Sequence, residues 1–225
     1  MKQLIDGYTH FRSKVFPQHS QLFEKLSKGQ QPQALFICCS DSRVMPEMMM
    51  QCEPGVIFPV RNAGNLVPPP SENGSGVAAT VEYAVRVLGV ADVIVCGHSD
   101  CGAMKGLLQV EKLESLPIVK TWLENAGAAS RWLTSTLKDS KVLTFEEQVQ
   151  LVTEANVIAQ MQNLHAHPAV YEFVRKGKLN VHGWMYDIAS GEIHRFDAEK
   201  GSFVALIPNE LPVVQAAERD QRKIA

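Results

Sequence analysis

The sequence lacks several features that would place it in other classes of protein. No apolar run approaches the ~20 residues needed to span a bilayer, and the opening residues lack the long apolar core of a secretory signal. There is no basic excess, because 22 Lys and Arg residues against 24 Asp and Glu residues give a net charge of −2. Neither nucleic acid nor an anionic membrane surface is therefore an expected partner. We expect a cytoplasmic protein.

Cysteine is scarce, and its odd count of five argues against a disulfide framework. Cys38 and Cys96 lie inside apolar runs, where a cysteine usually acts as a small buried hydrophobe, and Cys52 has no ligand-like neighbours. Only Cys39 and Cys101 stand beside residues that suggest chemistry.

The composition favours one globular α/β domain, since 225 residues with 45% hydrophobic and 20% charged side chains can bury a sizeable core. Helical spacing over residues 3–28, broken at Pro17, predicts a helical arm at residues 1–30. This arm has no obvious partner in its own core, so we expect it to pack across a neighbouring subunit. A catalytic core at 31–200 and a C-terminal tail at 201–225 complete the predicted organisation.

Short apolar runs predict the strands of a mixed, mainly parallel central sheet flanked by helices. The first three are expected at residues 34–39, 56–60 and 92–97, and a helix between the last two indicates a right-handed parallel crossover. Residues 103–175 are mostly helical by pattern. Runs at 179–188 and 192–196, joined by a Ser190-Gly191 turn, predict an antiparallel edge.

Two cysteine motifs follow the ends of predicted strands: CSDSR at residues 39–43 and HSDC at residues 98–101. Ligands bind at the carboxyl ends of parallel strands, so Cys39, His98 and Cys101 are expected to converge there. Two thiolates and an imidazole suit zinc. Three interpretations stay open at this point: a catalytic zinc, a closed zinc that only staples two loops, and two core thiols with no metal.

The fourth zinc position distinguishes the first two interpretations. If Asp41 fills it, there is no room for a reactive water. If water fills it, zinc acts as a Lewis acid that generates hydroxide near neutral pH. Arg43 stands two residues beyond Asp41 and could hold its carboxylate away from the metal. Asp41 would then accept a hydrogen bond from the bound water.

Five motifs together resemble the β-class carbonic anhydrases, and most closely their bacterial and plant-like branch. They lie in the family's order and spacing within about residues 1–200 and are CSDSR (39–43), RNAGN (61–65), EYA (82–84), GHSDCG (97–102) and HGWMYD (182–187). The resemblance implies one zinc per subunit held by Cys39, His98 and Cys101. It also implies a zinc-bound hydroxide that attacks carbon dioxide, reversibly giving bicarbonate and a proton.

The resemblance also implies roles for residues around the zinc. It makes Asp41 and Arg43 a catalytic dyad, and it implies a pocket between two subunits of a homodimer or larger homo-oligomer. The pocket residues it implies are Gln30, Phe58, Tyr83 and the backbone N–H of Gly102, and Ala63 would add a small wall suited to carbon dioxide. From the residues alone, Gln30 is an exposed loop amide, and Phe58 and Tyr83 are core packing.

One departure from the family concerns regulation. Members that bind bicarbonate in a regulatory pocket have a tryptophan three residues before the first zinc cysteine, where this chain has Phe36. We therefore expect an open site.

Two other functions are compatible with the same cysteine motifs. The same zinc chemistry could act on carbon disulfide or carbonyl sulfide, and a silent zinc scaffold is a third hypothesis that the Asp41–Arg43 pair disfavours. His165 and His167 are expected at a solvated helix end, and His182 as a core histidine.

Overall fold

A computed structural model describes residues 1–71, 74–137 and 143–207 of the chain. The chain divides into two compact units, Met1–Gln31 and Pro32–Ala225. Among the described helices, none combines the length and the apolarity that crossing a bilayer requires.

The first unit is the predicted helical arm. Helix α1 (Lys2–His10) runs through irregular turns at Phe11–Val15 and Phe16–His19 into α2 (Ser20–Leu26). The second turn contains Pro17, which lacks the N–H that a continuous helix needs. No residue of the arm is buried, and its rings at Phe11, Phe16 and Phe23 contact one another. The predicted helices are confirmed, whereas their packing on a neighbouring subunit stays a prediction.

The second unit is built on a six-stranded sheet in the order β2-β1-β3-β4-β5-β6. The first four strands in this order are mutually parallel, and β5 and β6 add antiparallel pairs at one edge. The strands are β1 (Ala34–Cys39), β2 (Ile57–Asn62), β3 (Asp92–His98), β4 (Asn180–Tyr186), β5 (Ile193–Asp197) and β6 (Ser202–Ala205). The predicted mixed, mainly parallel sheet is confirmed.

Helices connect the strands and cover the sheet. They are α3 (Pro46–Met49), α4 (Gly76–Tyr83, continued by a wider turn at Ala84–Leu88), α5 (Gly102–Leu108), α6 (Pro117–Leu123), α7 (Gly127–Leu137), α8 (Phe145–Ala166) and α9 (Pro168–Arg175). Helix α8 begins with a capping box in which Thr144 and Glu147 each satisfy a backbone N–H of the other. Helices α5 to α9 confirm, within the described residues, the prediction that residues 103–175 are mostly helical.

The two faces of the sheet carry separate parts of the core. Side chains alternate along a strand, so Leu35 and Ile37 of β1 pack in one cluster with residues of α4, α8 and α9. Phe36 and Cys38 point to the other face and pack with Trp184 and the buried Cys96. A third cluster gathers around Cys39 and Cys101 at one edge.

The sequence interpretation was incomplete at two places. It missed β6, because it assigned residues 201–225 to the tail although residues 203–207 form a short apolar run. It also placed His167 on the surface, whereas His167 is only 4% exposed and its Nε2 lies 3.0 Å from the Pro68 carbonyl oxygen. The C-terminal tail lies mostly outside the described residues, beyond residue 207.

Glycine in β3 and β4 lets α8 approach the sheet closely. A Cβ on Gly183 would lie 2.9 Å from Cγ1 of Val157 and closer still to the sulfur of Met161. A Cβ on Gly97 would lie 2.7 Å from Cγ2 of Val157. The helix therefore packs on two positions of the sheet that tolerate no side chain.

We expect Gly183→Ala to lower the free energy of unfolding by about 1–3 kcal/mol, because the added methyl group overpacks the contact with α8. Denaturant unfolding followed by circular dichroism measures this change. Gly76→Ala is the matched control, since a Cβ there meets no atom within 4 Å. Equal unfolding midpoints for the two variants would show that α8 packs less tightly than described.

Candidate metal centre

Three side chains converge at the carboxyl edge of the parallel strands. Cys39 is the last residue of β1, His98 is the last residue of the adjacent β3, and Cys101 immediately precedes α5. All three are buried, and one potential ligand atom from each lies within 4.8 Å of the others. The sequence prediction that these residues come together is therefore confirmed, and the group could bind a metal ion.

The imidazole of His98 is oriented by a neighbouring backbone group. Nδ1 lies 2.8 Å from the Ser99 carbonyl oxygen, which can only accept a hydrogen bond, so Nδ1 carries the proton. Nε2 is then an unprotonated acceptor, and it is buried with no hydrogen-bond partner among the described residues. Burying a nitrogen acceptor without a partner destabilises the folded state, unless the nitrogen coordinates a metal ion. Nε2 of His98 is therefore well suited to be a metal ligand.

The two sulfurs differ in how readily each gives up its proton. A hydrogen bond from the Cys101 thiol makes the largest contribution to lowering the pKa of Cys39 to about 4. The neighbouring His98 ring and the backbone N–H groups of Gly64 and Asp41 add to this effect, and burial opposes it. The neighbouring Cys39 sulfur and burial raise the pKa of Cys101 far above its usual range. One thiolate therefore forms easily, while a second beside it requires a cation. This donor set suits a soft divalent metal such as zinc.

Asp41 is held by Arg43 and is not part of the converging group. Arg43 donates from Nε to Oδ1 at 2.9 Å and from Nη2 to Oδ2 at 2.8 Å, and its backbone N–H also reaches Oδ1 at 3.0 Å. These hydrogen bonds hold the pKa of Asp41 well below its usual range, so the carboxylate stays ionised. This geometry corresponds to the alternative in which Arg43 holds the Asp41 carboxylate away from the three converging side chains.

Two further residues hold the Asp41–Arg43 pair and its backbone, and the sequence analysis gave neither of them a role. Asp100 accepts a hydrogen bond from Nη1 of Arg43 at 3.0 Å and also pairs with Lys105. Arg61 donates to the carbonyl oxygens of Cys39 at 3.3 Å and Asp41 at 2.8 Å. Asp100 lies inside the second cysteine motif, and this position could have indicated that its carboxylate lies near the site.

The five predicted pocket residues lie in three different parts of the structure. Phe58 and Tyr83 are neighbours with ring centroids 6.2 Å apart, although Tyr83 is 45% exposed and thus not the core residue that its pattern alone suggests. Ala63 and Gly102 are exposed, and Gly102 is the first residue of α5. Gln30 is exposed at the end of the helical arm, so its place in the pocket stays a prediction.

A buried turn after β2 also contacts the site. Gly64, in the left-handed region at φ +81°, donates its N–H to Cys39 Sγ at 3.4 Å. Its carbonyl oxygen accepts from the amide of Asn156 on α8 at 3.0 Å. Sequence reasoning missed Asn156, although polar residues at helical spacing among the buried positions of α8 were a detectable signal.

The fold and the Cys-His-Cys group together define an α/β protein with a candidate metal centre at the carboxyl edge of the parallel strands. The family model described as carbonic anhydrase matches residues 34–193. A carbonic anhydrase of Pseudomonas aeruginosa is 47% identical over 216 residues, which cover 96% of this chain and 96% of that protein. The chain therefore belongs to the carbonic anhydrase family, in its β class, and is an enzyme of that family.

Solved structures agree with this assignment. The β-carbonic anhydrase CcaA has a TM-score of 0.88 and 42% identity, covering 92% of this chain and 99% of that one. Two β-carbonic anhydrases of the ascomycete Sordaria macrospora are described as tetrameric; the structure matched has a TM-score of 0.78 and 29% identity, covering 91% of this chain and 98% of that one.

We expect His98→Ala to lose the bound metal, because it removes the only nitrogen of the Cys-His-Cys group. Elemental analysis of the purified protein measures metal per chain, and it should fall at least tenfold. His182→Ala is the control, since the His182 Nε2 pairs with Asp92 at the opposite end of the parallel strands. Full metal content in His98→Ala would contradict the ligand assignment.

Proposed function

We propose that this protein is a zinc-dependent carbonic anhydrase that reversibly hydrates carbon dioxide to bicarbonate and a proton. The observation that carries the proposal is the buried convergence of Cys39, His98 and Cys101 beside an Asp41 carboxylate that Arg43 holds. The proposed reaction is based on membership of the family, and the choice of zinc is based on the two sulfur donors and one nitrogen donor. When bound, one zinc per subunit supplies Lewis acidity that activates water near neutral pH.

The residues around the metal have separable tasks in this proposal. Asp41 accepts a hydrogen bond from the attacking water and thereby orients it, because its carboxylate is ionised and can only accept. Arg43 fixes the carboxylate through two parallel hydrogen bonds and prevents it from turning toward the metal. Together they act as the catalytic dyad.

The pocket residues bind and orient the substrate. Phe58 and Tyr83 offer an apolar wall for a small, linear, apolar molecule, and Ala63 leaves room beside them. The N–H of Gly102 is free of the α5 hydrogen-bond pattern, because it belongs to the first residue of the helix. This N–H and the amide of Gln30 donate to a substrate oxygen as negative charge develops.

The working unit in this proposal is a homodimer or a larger homo-oligomer, with the pocket between two subunits. Leu4, Ile5 and Tyr8 of the arm are between 57% and 71% exposed, and Tyr83 is also open to solvent. Apolar side chains this exposed are typical of an interface, and a solved relative is tetrameric. Sedimentation at several protein concentrations tests this assembly, and a monomer throughout would contradict it.

We propose a cytoplasmic location as well. All five cysteines are free in the structure, which suits a reducing compartment. Fractionation of the native cells followed by immunodetection tests it, and recovery in an extracytoplasmic fraction would contradict it.

Stopped-flow hydration of carbon dioxide by protein of measured zinc content tests the reaction. We expect Asp41→Ala to keep its zinc and to lose about 10²-fold or more in turnover, because a positioned acceptor contributes on this scale. Asp197→Ala, at the last residue of β5, is the control carboxylate.

Unchanged turnover in Asp41→Ala would refute the role given to the dyad. Rapid hydration by the wild-type protein would support the reaction itself. Full zinc occupancy with no hydration would instead point to a substrate such as carbonyl sulfide or carbon disulfide, or to a silent zinc scaffold.

We expect Gln30→Ala to lower turnover by about 10²-fold without loss of zinc, because it removes one donor to the developing charge on the substrate. The same hydration assay with zinc analysis measures both quantities. Gln31→Ala removes the adjacent exposed amide and serves as the matched control. A rate equal to that of the control would leave Gln30 as an ordinary loop residue.

A further inference from the structure

The segment Ala63–Pro68, here called the site loop, runs through the interior rather than over the surface. Its residues 64–67 are all buried, and Leu66 and Val67 are completely so. Buried loops are uncommon, because their backbone N–H and carbonyl groups must find partners away from water. The partners of the site loop therefore show what holds it in place.

Side chains supply most of those partners. Along α8, Asn156, Gln160 and Asn163 follow one another at intervals of four and three residues, so they share one face of the helix. Gln160 Oε1 accepts from the Val67 N–H at 2.8 Å, and Asn163 Nδ2 donates to the Val67 carbonyl oxygen at 2.9 Å. The end of the site loop is thus fixed to α8.

Gly64 is held on both sides. The Trp122 indole N–H donates to the Ala63 carbonyl oxygen at 2.8 Å. This carbonyl group and the Gly64 N–H belong to the same planar peptide unit. Asn156 Nδ2 donates to the Gly64 carbonyl oxygen at 3.0 Å, and Gln160 Nε2 donates to Asn156 Oδ1 at 2.9 Å. Because Asn156 is fully buried and uses both ends of its amide, its orientation is determined.

The N–H held in this way points at a candidate metal ligand. The Gly64 nitrogen lies 3.4 Å from Cys39 Sγ. A Cβ on Gly64 would lie 3.0 Å from that of Ala103 and 3.2 Å from Cε of Met104, both in the first turn of α5 after Cys101. The site loop therefore packs closely against both cysteine-bearing segments.

We propose that Trp122 and Asn156 are positioning residues that clamp Gly64, so that its N–H donates to the Cys39 thiolate and sets the strength of the metal–sulfur bond. The inference rests on the proposed function, because it assumes a metal bound at Cys39. A hydrogen bond to a ligating sulfur stabilises its negative charge and lowers the energy of its lone pairs. Neither residue touches the substrate or the metal.

The test uses the full-length holoprotein with Trp122→Phe, which keeps an aromatic ring and removes the donor. Zinc affinity, measured by competition with a chelator, should fall about tenfold, on the lower side of what loss of an outer partner of a ligand usually costs. In the cobalt-substituted protein, the sulfur-to-cobalt charge-transfer band should move to lower energy. A merely structural role would lower the unfolding midpoint without moving this band.

Two further variants make the test decisive. Asn156→Leu removes the other clamp and should shift the band in the same direction, so the proposal stays testable if one variant folds poorly. Trp184→Phe is the matched control, because its buried indole N–H has no hydrogen-bond partner among the described residues. It should leave both affinity and band unchanged.

The outcomes separate this proposal from the one on which it rests. A wild-type protein that binds zinc and cobalt, with unchanged affinity and band in both Trp122→Phe and Asn156→Leu, would overturn the clamp alone. A wild-type protein that binds neither metal would overturn the proposed function and the clamp together.

Discussion

The structure depends on one electrostatic constraint, which is the burial of two sulfurs and an imidazole nitrogen within 4.8 Å of one another. Ionising both sulfurs in the interior is unfavourable without a cation, since each thiolate opposes the other and burial disfavours charge. The surrounding backbone offsets part of this cost through N–H groups aimed at Cys39. A bound divalent metal would offset the rest, and its binding would then be coupled to the local fold.

The sheet makes that convergence possible. Because β1 and β3 are adjacent and parallel, the residues that end them lie side by side, and Cys38 is already paired in register with Cys96. Asp41 and Arg43 follow β1, and Cys101 follows β3, at the same edge of the sheet. Arg43 then joins the two connecting segments through its hydrogen bonds to Asp41 and Asp100.

The sequence was informative wherever a local pattern determined the structure. The apolar run that ends in Cys39 predicted β1 with its observed limits, and the motif spacing identified the three converging side chains. It failed for contacts between distant segments. His167 looked like a surface residue because nothing near it in sequence reveals the Pro68 carbonyl oxygen that it contacts. Asp100 stood in a recognised motif, but its pairing with Arg43 spans 57 residues.

By itself, therefore, the sequence determined the class of fold, the family and the chemical identity of the candidate ligands, because these depend on residue type and short spacing. Only the tertiary structure decided that Arg43 also pairs with Asp100, that His98 leaves Nε2 without a hydrogen-bond partner among the described residues, and that Asn156 reaches the loop beside Cys39. These features arise where separate segments meet. Their distances and hydrogen-bond directions depend on packing, which no local pattern contains.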